Sequence, residues 1–298
     1  MAKPARLVLV STVDIPVPEA SALSVRRRDG QTRVLAVGDR THALAAAVYA
    51  DAQLGTWQVL DLASIEGWPP ISGDSQFEGL TCDGASLVAL MREDPAEVIV
   101  VDTTERRVVA TIELAVPSWS ALAGRWDDPS SRGEGVVLLR GGRLLLAKEK
   151  RPRALVEFGP AGTSPRGVSR EDFLDADEPW DAPGGDVTFH ALAAWKLRDT
   201  AKKRLRDISA LAVTEDRELW LLSDKSQAAG RLDLRDPLPR AGGTIDALDK
   251  AYRLPKGSTK PEGAVALDAD TVLIALDTPS THDNAIIVRR PAADDTED

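Results

Sequence analysis

The chain has 298 residues, of which 43% are hydrophobic and 28% charged, with a formal net charge of -10 at neutral pH. That length and apolar content suffice for a large core, while the acidic balance excludes binding driven by phosphate neutralisation, as nucleic acid requires. One cysteine, Cys82, excludes an internal disulfide and a Cys-rich zinc site, and no apolar run approaches the roughly 18 residues of a membrane span.

At the N-terminus the run Arg6-Leu7-Val8-Leu9-Val10-Ser11-Thr12-Val13 reads as a strand; its apolar part is too short for a signal-peptide core, so a cytoplasmic protein without membrane or nucleic-acid partners is expected. Five repeats follow. Each opens an apolar strand on Ser or Glu beside a small residue: Ser21-Ala22-Leu23, Glu78-Gly79-Leu80, Glu134-Gly135-Val136, Ser209-Ala210-Leu211 and Glu262-Gly263-Ala264. A second strand runs back to an acidic residue, at Asp39, Glu93, Glu149, Asp224 and Asp277. Start and end lie 15 residues apart in four units and 18 in the first, whose surplus sits in Arg26-Arg27-Arg28-Asp29-Gly30. The constant odd separation predicts hairpins with even loops, a primed two-residue turn at Gly141-Gly142 in the third, and starts that face ends across neighbouring strands.

The starts recur at intervals of 57, 56, 75 and 53 residues, room for one four-stranded sheet each. The prediction is an all-β, five-bladed β-propeller, with six blades as the alternative count, in which every inner strand begins on the same face. The interval of 75 carries a surplus assigned to a loop near residues 159–185, rich in Pro, Gly and Asp. After strand patterns ending near Arg289 the fifth unit lacks a fourth strand, which the N-terminal run is expected to supply. Residues 1–298 thus read as one domain with a disordered acidic tail near 291–298.

This arrangement gathers eight carboxylates at one mouth of the central channel: Asp39, Glu78, Glu93, Glu134, Glu149, Asp224, Glu262 and Asp277. Five nearby cations, Arg40, Arg92, Lys148, Lys150 and Lys225, leave three negative charges uncompensated even if all point inward. At about 6 Å and an effective dielectric of about 20, each uncompensated pair costs roughly 2–3 kcal/mol. Glu78, Glu134 and Glu262, at equivalent positions, are therefore the candidate metal ligands, and calcium suits an all-oxygen set. A purely architectural role, with start residues anchoring one blade to the next, is the competing reading.

The predicted ligand-binding set is Asp39, Arg40, Glu93, Lys148, Glu149, Lys150, Asp224, Lys225 and Asp277, for a small or anionic ligand. Trp68, Trp119, Trp126 and Trp180 precede inner strands and form either its rim or packing between blades. His42 and His282 follow acidic ends and are expected close together across the seam between the fifth and first blades; with Glu149 they are the catalytic candidates. His190 and Cys82 read as structural. The first choice is a cation-binding module, and the alternative a metal-dependent hydrolase of phosphoesters, esters or lactones. No Gly-x-Ser-x-Gly elbow, phosphate loop or His-Glu-x-x-His motif is present. On either reading, substituting Glu149 or His282 is expected to impair binding or turnover, whereas changes at Arg143 or Asp270, on the hairpin-turn face, are expected to be nearly silent for both.

The five starts, together with Lys148-Glu149-Lys150-Arg151-Pro152, Ser223-Asp224-Lys225-Ser226 and Pro261-Glu262-Gly263, resemble in order the repeats of the SdiA-regulated family of bacterial β-propellers. That family is distantly similar to propeller phytases and to proteins with phytase-like esterase activity. The resemblance implies a propeller with calcium at the channel. Family members often carry an N-terminal membrane or export segment, which this sequence does not show.

Overall fold

Runs such as Val136-Val137-Leu138-Leu139 and Leu144-Leu145-Leu146-Ala147 are apolar at every position, so both faces of their strands require cover. In the computed structural model, which describes residues 4–118, 120, 122–126, 128 and 132–291, antiparallel meanders provide that cover for one another.

Strands β1 (Ala5–Arg6) and β2 (Val8–Val13) precede the first meander, formed by β3 (Ala20–Arg28), β4 (Gln31–Gly38) and β5 (Ala43–Ala50), with β6 (Gln53–Leu54) and β7 (Gln58–Asp61) both paired to β5. The second comprises β8 (Phe77–Cys82), β9 (Leu87–Arg92), β10 (Glu97–Asp102) and β11 (Arg107–Ala115). The third comprises β12 (Val136–Leu139), β13 (Arg143–Lys148), β14 (Ala154–Pro160) and β15 (Gly185–Leu197), followed by a short helix α1 (Asp199–Arg204). In the fourth, β16 (Ala210–Val213), β17 (Leu219–Ser223) and β18 (Ala228–Leu232) lead to β19 (Gly243–Ile245), which joins β15 instead, and then to β20 (Lys250–Arg253), which returns to β18. The fifth has β21 (Pro261–Ala266), β22 (Thr271–Leu276) and β23 (Ala285–Arg289). Parallel pairing of β11 with β15 merges the second and third meanders into one sheet. The result is all-β with scarcely any helix, built of several sheets in a propeller-like arrangement.

Alternation of side chains along each strand feeds two different cores. On β4, Leu35 and Val37 pack with Leu80 and Val88 of the second meander, while Val34 and Ala36 pack with Leu273 and Ile287 of the fifth. Likewise Leu144 and Leu146 face the second meander, and Leu145 and Ala147 the fourth. The inner strands follow one another in a cycle, β3 beside β8, β8 beside β12, β12 beside β16, β16 beside β21 and β21 beside β3.

The N-terminal run supplies the outer strand of the fifth meander, β2 pairing antiparallel with β23, while β1 runs parallel to β20. Buried Asn284 fastens this junction. Its amide accepts from Ile15 N at 2.7 Å and donates to Ile15 O and Val17 O at 3.0 Å, leaving no polar atom wasted. Asn284→Ala should therefore cost about 2–3 kcal/mol by orphaning buried backbone groups, measurable by denaturant titration. A loss under 0.5 kcal/mol would contradict this account. The connection between β14 and β15 contains a 3-10 turn at Arg170–Asp172. Apart from Pro291, the acidic tail lies outside the described residues.

The expected register needs correction. In three units the start residue is skipped in the ladder: Ser21 between Ala20 and Ala22, Glu78 between Phe77 and Gly79, Glu262 between Pro261 and Gly263. Such a bulge leaves one residue unpaired and re-aims its side chain, so starts do not stand opposite ends. Loop parity changes with it. Leu139 registers with Arg143, so the third hairpin has a three-residue loop, although Gly141 and Gly142 do adopt φ of +71° and +65°. The two-residue primed turn is in the first unit, at Asp29-Gly30, where Arg28 pairs with Gln31 and φ is +52° and +71°.

Candidate functional site

Crowding at the axis explains the residue beside each start. A Cβ on Gly79 would lie 2.9 Å from Met91 Cβ, and one on Gly263 3.1 Å from Ala275 Cβ. Gly135 has φ of +151°, and a Cβ there would meet Leu211 N at 2.8 Å. Gly135→Ala therefore combines backbone strain with a clash against main chain and should cost about 2–4 kcal/mol. Thermal unfolding measures this directly, and an unchanged melting temperature would refute the packing at the axis.

The two serine starts are fasteners. Ser21 Oγ donates to Phe77 O, and Ser209 Oγ to Pro261 O at 2.7 Å, each reaching the carbonyl just before the neighbouring unit's glutamate. The three glutamate starts behave differently. Glu78, Glu134 and Glu262 line one small cavity with Gly79, Gly135 and Gly263, about 10 Å³ in volume, space for a single water or ion. Burial, and then the mutual repulsion of the group, hold the Glu78 and Glu134 carboxyls well above the usual carboxylate range. Glu262 is pushed up to about 8 by burial and by the Asp277 charge, with Lys260 opposing. Among the described residues neither Glu78 nor Glu134 has a side-chain hydrogen bond or a cationic partner. No three His, Cys, Asp or Glu side chains among them stand ready grouped as metal ligands.

The acidic ends divide by partner. Glu149 meets Lys150, and Lys225 at 2.8 Å; Asp277 meets Lys260. Asp39 keeps a buried oxygen without a hydrogen bond, and burial followed by the Glu19 charge raises its carboxyl to about 6. Glu93 rises to about 7 chiefly through burial, although it accepts Arg132 N at 3.1 Å. Asp224 is raised by burial and by Asp207, and accepts Gln227 Nε2 at 3.1 Å.

Two of the five expected cations pair with carboxylates other than the ends, and a third is buried. Arg40 pairs with Glu19 and Arg92 with Glu97, while Lys148 is fully buried, its ammonium 6.0 Å from the Trp126 ring centre. Lys148 is thus shielded from direct contact with solvent, and burial pulls its ammonium below the usual lysine range against the opposing pull of Asp128, Glu149 and Glu93. The histidines have separate surroundings. His42 Nε2 lies 3.1 Å from Gly73 O with its ring edge-on to Trp68 and Phe77, whereas exposed His282 places Nδ1 3.2 Å from Asp14 Oδ2. Neither hydrogen bond nor ring contact joins the two among the described residues. Trp126 and Trp180 pack in the core between the second and third meanders; Trp119 lies outside the described residues. Cys82 Sγ contacts Ser24 Oγ at 3.3 Å, and burial pushes its thiol up.

A further set escaped the sequence reading: Glu19, Gln76, Arg132, Asp207 and Lys260, each two residues before a start. Three of them pair with the ends through the main chain. Asp39 N donates to Glu19 O, Glu93 N to Gln76 O and Asp277 N to Lys260 O, while buried Asp207 accepts Lys225 N at 3.1 Å. The polar residue recurring at that fixed offset was the available signal.

A regucalcin from Agrobacterium tumefaciens, described as a calcium-binding protein, superposes with a TM-score of 0.52 at 12% identity, over 97% of this chain and 95% of that one. A Kuenenia stuttgartiensis hydrazine synthase chain gives 0.45 at 10% identity over 94% and 98%, and a Bacteroides caccae protein of unknown function 0.44 at 11% over 86% and 70%. At such identities the regucalcin likeness speaks to fold alone. No curated protein matches in sequence. The sequence profile of the SdiA-regulated family matches residues 64–281, spanning the second to fifth glutamate and serine starts. With its recurrent starts, its acidic mouth and that match over most of its length, the chain belongs to the SdiA-regulated family.

Proposed function

We propose that the five meanders are the five blades of a propeller whose acidic mouth binds a cation, calcium by its donor chemistry, and through it a small or anionic ligand. The observation that carries this reading is the sharing of one ion-sized cavity by Glu78, Glu134 and Glu262, two of them without any partner among the described residues. Three carboxylates there offer only oxygen, which suits a hard cation. Grouping them around an ion requires rotation of the glutamate side chains, a small rearrangement for half-buried groups. Asp39, Glu93 and Asp224 lie around the same mouth and remain available to a ligand; Glu149, Lys150 and Lys225 already satisfy one another.

The test is calorimetric titration of calcium into the chelator-treated protein. Saturable binding that disappears in Glu134→Gln is expected, and heat of binding that survives that substitution would overturn the assignment. A screen of phosphoesters, carboxyl esters and lactones, with and without chelator, distinguishes the hydrolase reading. Chelator-sensitive turnover would replace the binding module with an enzyme.

A further inference from the structure

We propose a second binding site, on the opposite end of the molecule from the acidic mouth, for a small amphipathic anion with an apolar body and a carboxylate, sulfonate or phosphate head. It arises from the longer first hairpin. Strands β3 and β4 run nine and eight residues, whereas β8 and β9 of the neighbouring meander run six each. The first hairpin therefore overhangs the second meander, and the wedge between them stays open as a cleft of about 660 Å³, within the range of small-molecule sites.

One wall is a single face of the first meander. Register places Arg26 opposite Arg33 and Arg28 opposite Gln31, and continues on the same face through Leu35 and Ala46 to Leu44 and Leu60. The far wall is made by the β8–β9 and β10–β11 connections, at Ala85 and at Thr103 and Thr104. The floor is thus aliphatic and the outer rim cationic. Val59, 54% exposed, adds an apolar side chain at the edge.

The charges are unbalanced. Like charges directly opposite on paired strands repel, yet Arg26 and Arg33 occupy such positions. Among the described residues neither has a carboxylate partner. Arg26 donates to Asp83 O, Leu87 O and Thr103 Oγ1, which fixes the guanidinium without neutralising it, and Arg33 donates only to Gln31 Oε1 at 3.4 Å. Arg28 has the exposed Asp29 at 3.4 Å. Three guanidiniums and one carboxylate therefore edge an apolar cleft on a chain of net charge -10. An anionic head supplies the missing charge through bidentate hydrogen bonds, and an apolar body covers Ala46 and Leu60.

The probe is 8-anilinonaphthalene-1-sulfonate, with decanoate and inorganic phosphate as competitors, on the full chain. One saturable site with enhanced fluorescence is expected, displaced by decanoate and not by phosphate at equal concentration. Arg33→Glu should weaken binding by about three- to tenfold, the scale of replacing an exposed attraction with a repulsion, and Ala46→Phe should fill the floor and abolish it. Both variants should retain the wild-type melting temperature within a few degrees. Glu134→Gln should leave probe binding unchanged, separating this site from the acidic mouth. Absence of saturable binding, equal displacement by phosphate, or indifference to Arg33→Glu would each overturn the proposal.

Discussion

Replacing Arg143 by Ala should destabilise the protein by about 3–5 kcal/mol, the usual cost of stripping one partner from a buried ion pair. Its side chain is 3% exposed and that of Glu157 is fully buried, with Nη1 2.6 Å from Glu157 Oε1. Nη1 also donates to Gly167 O at 3.1 Å, Nε to Arg140 O at 3.2 Å, and Nη2 to Asp172. Glu157 in turn accepts Arg166 N and Gly167 N, each at 3.1 Å. Together they pin the long β14–β15 connection to the third meander. The sequence reading expected Arg143 to be silent for binding or turnover because it lies on the hairpin-turn face; its cost is expected in stability instead, since the strand's first side chain points under that connection and not into solvent. A fall in melting temperature on the order of 10 °C is expected for a chain of this size. Asp270→Ala removes only an exposed pairing with Arg290 and should cost under about 1 kcal/mol. Equal melting temperatures for the two variants would refute the distinction.

In chelator, folding stability should fall as pH rises from about 5 to about 8. The raised carboxyls at the mouth, Asp39 to about 6, Glu93 to about 7 and Glu262 to about 8, bind protons more tightly folded than unfolded. Between the unfolded pKa values, about 4, and those folded values the native state holds more protons, so stability decreases with pH. The contribution is complete below the unfolded values and lost through the folded ones. Calcium should reverse the trend, because ionised carboxylates are its ligands; at 100 times the dissociation constant the gain is about 2.7 kcal/mol. Glu134→Gln gives opposite signs in the two conditions. It removes a carboxyl that folding must either protonate or bury as a charge, and should stabilise the metal-free protein at pH 8, while cancelling the gain from calcium. Stability that climbs between pH 5 and 8 in chelator would contradict the electrostatics of the mouth, and identical profiles with and without calcium would contradict the metal.

Much of the architecture was legible because repeats report it redundantly. Apolar runs of strand length, small residues beside each start and a start-to-end interval shared by four of the five units all require hairpins packed on both faces, and the N-terminal run Arg6–Val13 answered a strand missing after Arg289. The convergence of Glu78, Glu134 and Glu262 followed from their equivalent positions. Spacing by itself, however, could not reveal the bulges at Ser21, Glu78 and Glu262, since an unpaired residue shifts register without changing the interval. Nor does sequence specify which cation reaches which carboxylate. Arg40, Arg92 and Lys148 lie next to acidic ends along the chain, but the tertiary positions of Glu19, Glu97 and Trp126 give them other partners, and Lys260 reaches Asp277 from a neighbouring element. The sequence by itself determined an acidic, all-β repeat protein with its glutamate starts at one end. Only the tertiary structure decided the charge pairing at that end, the burial of Arg143, and the open cleft beneath the first hairpin, because each depends on which segments, separated along the chain, the packed meanders bring together.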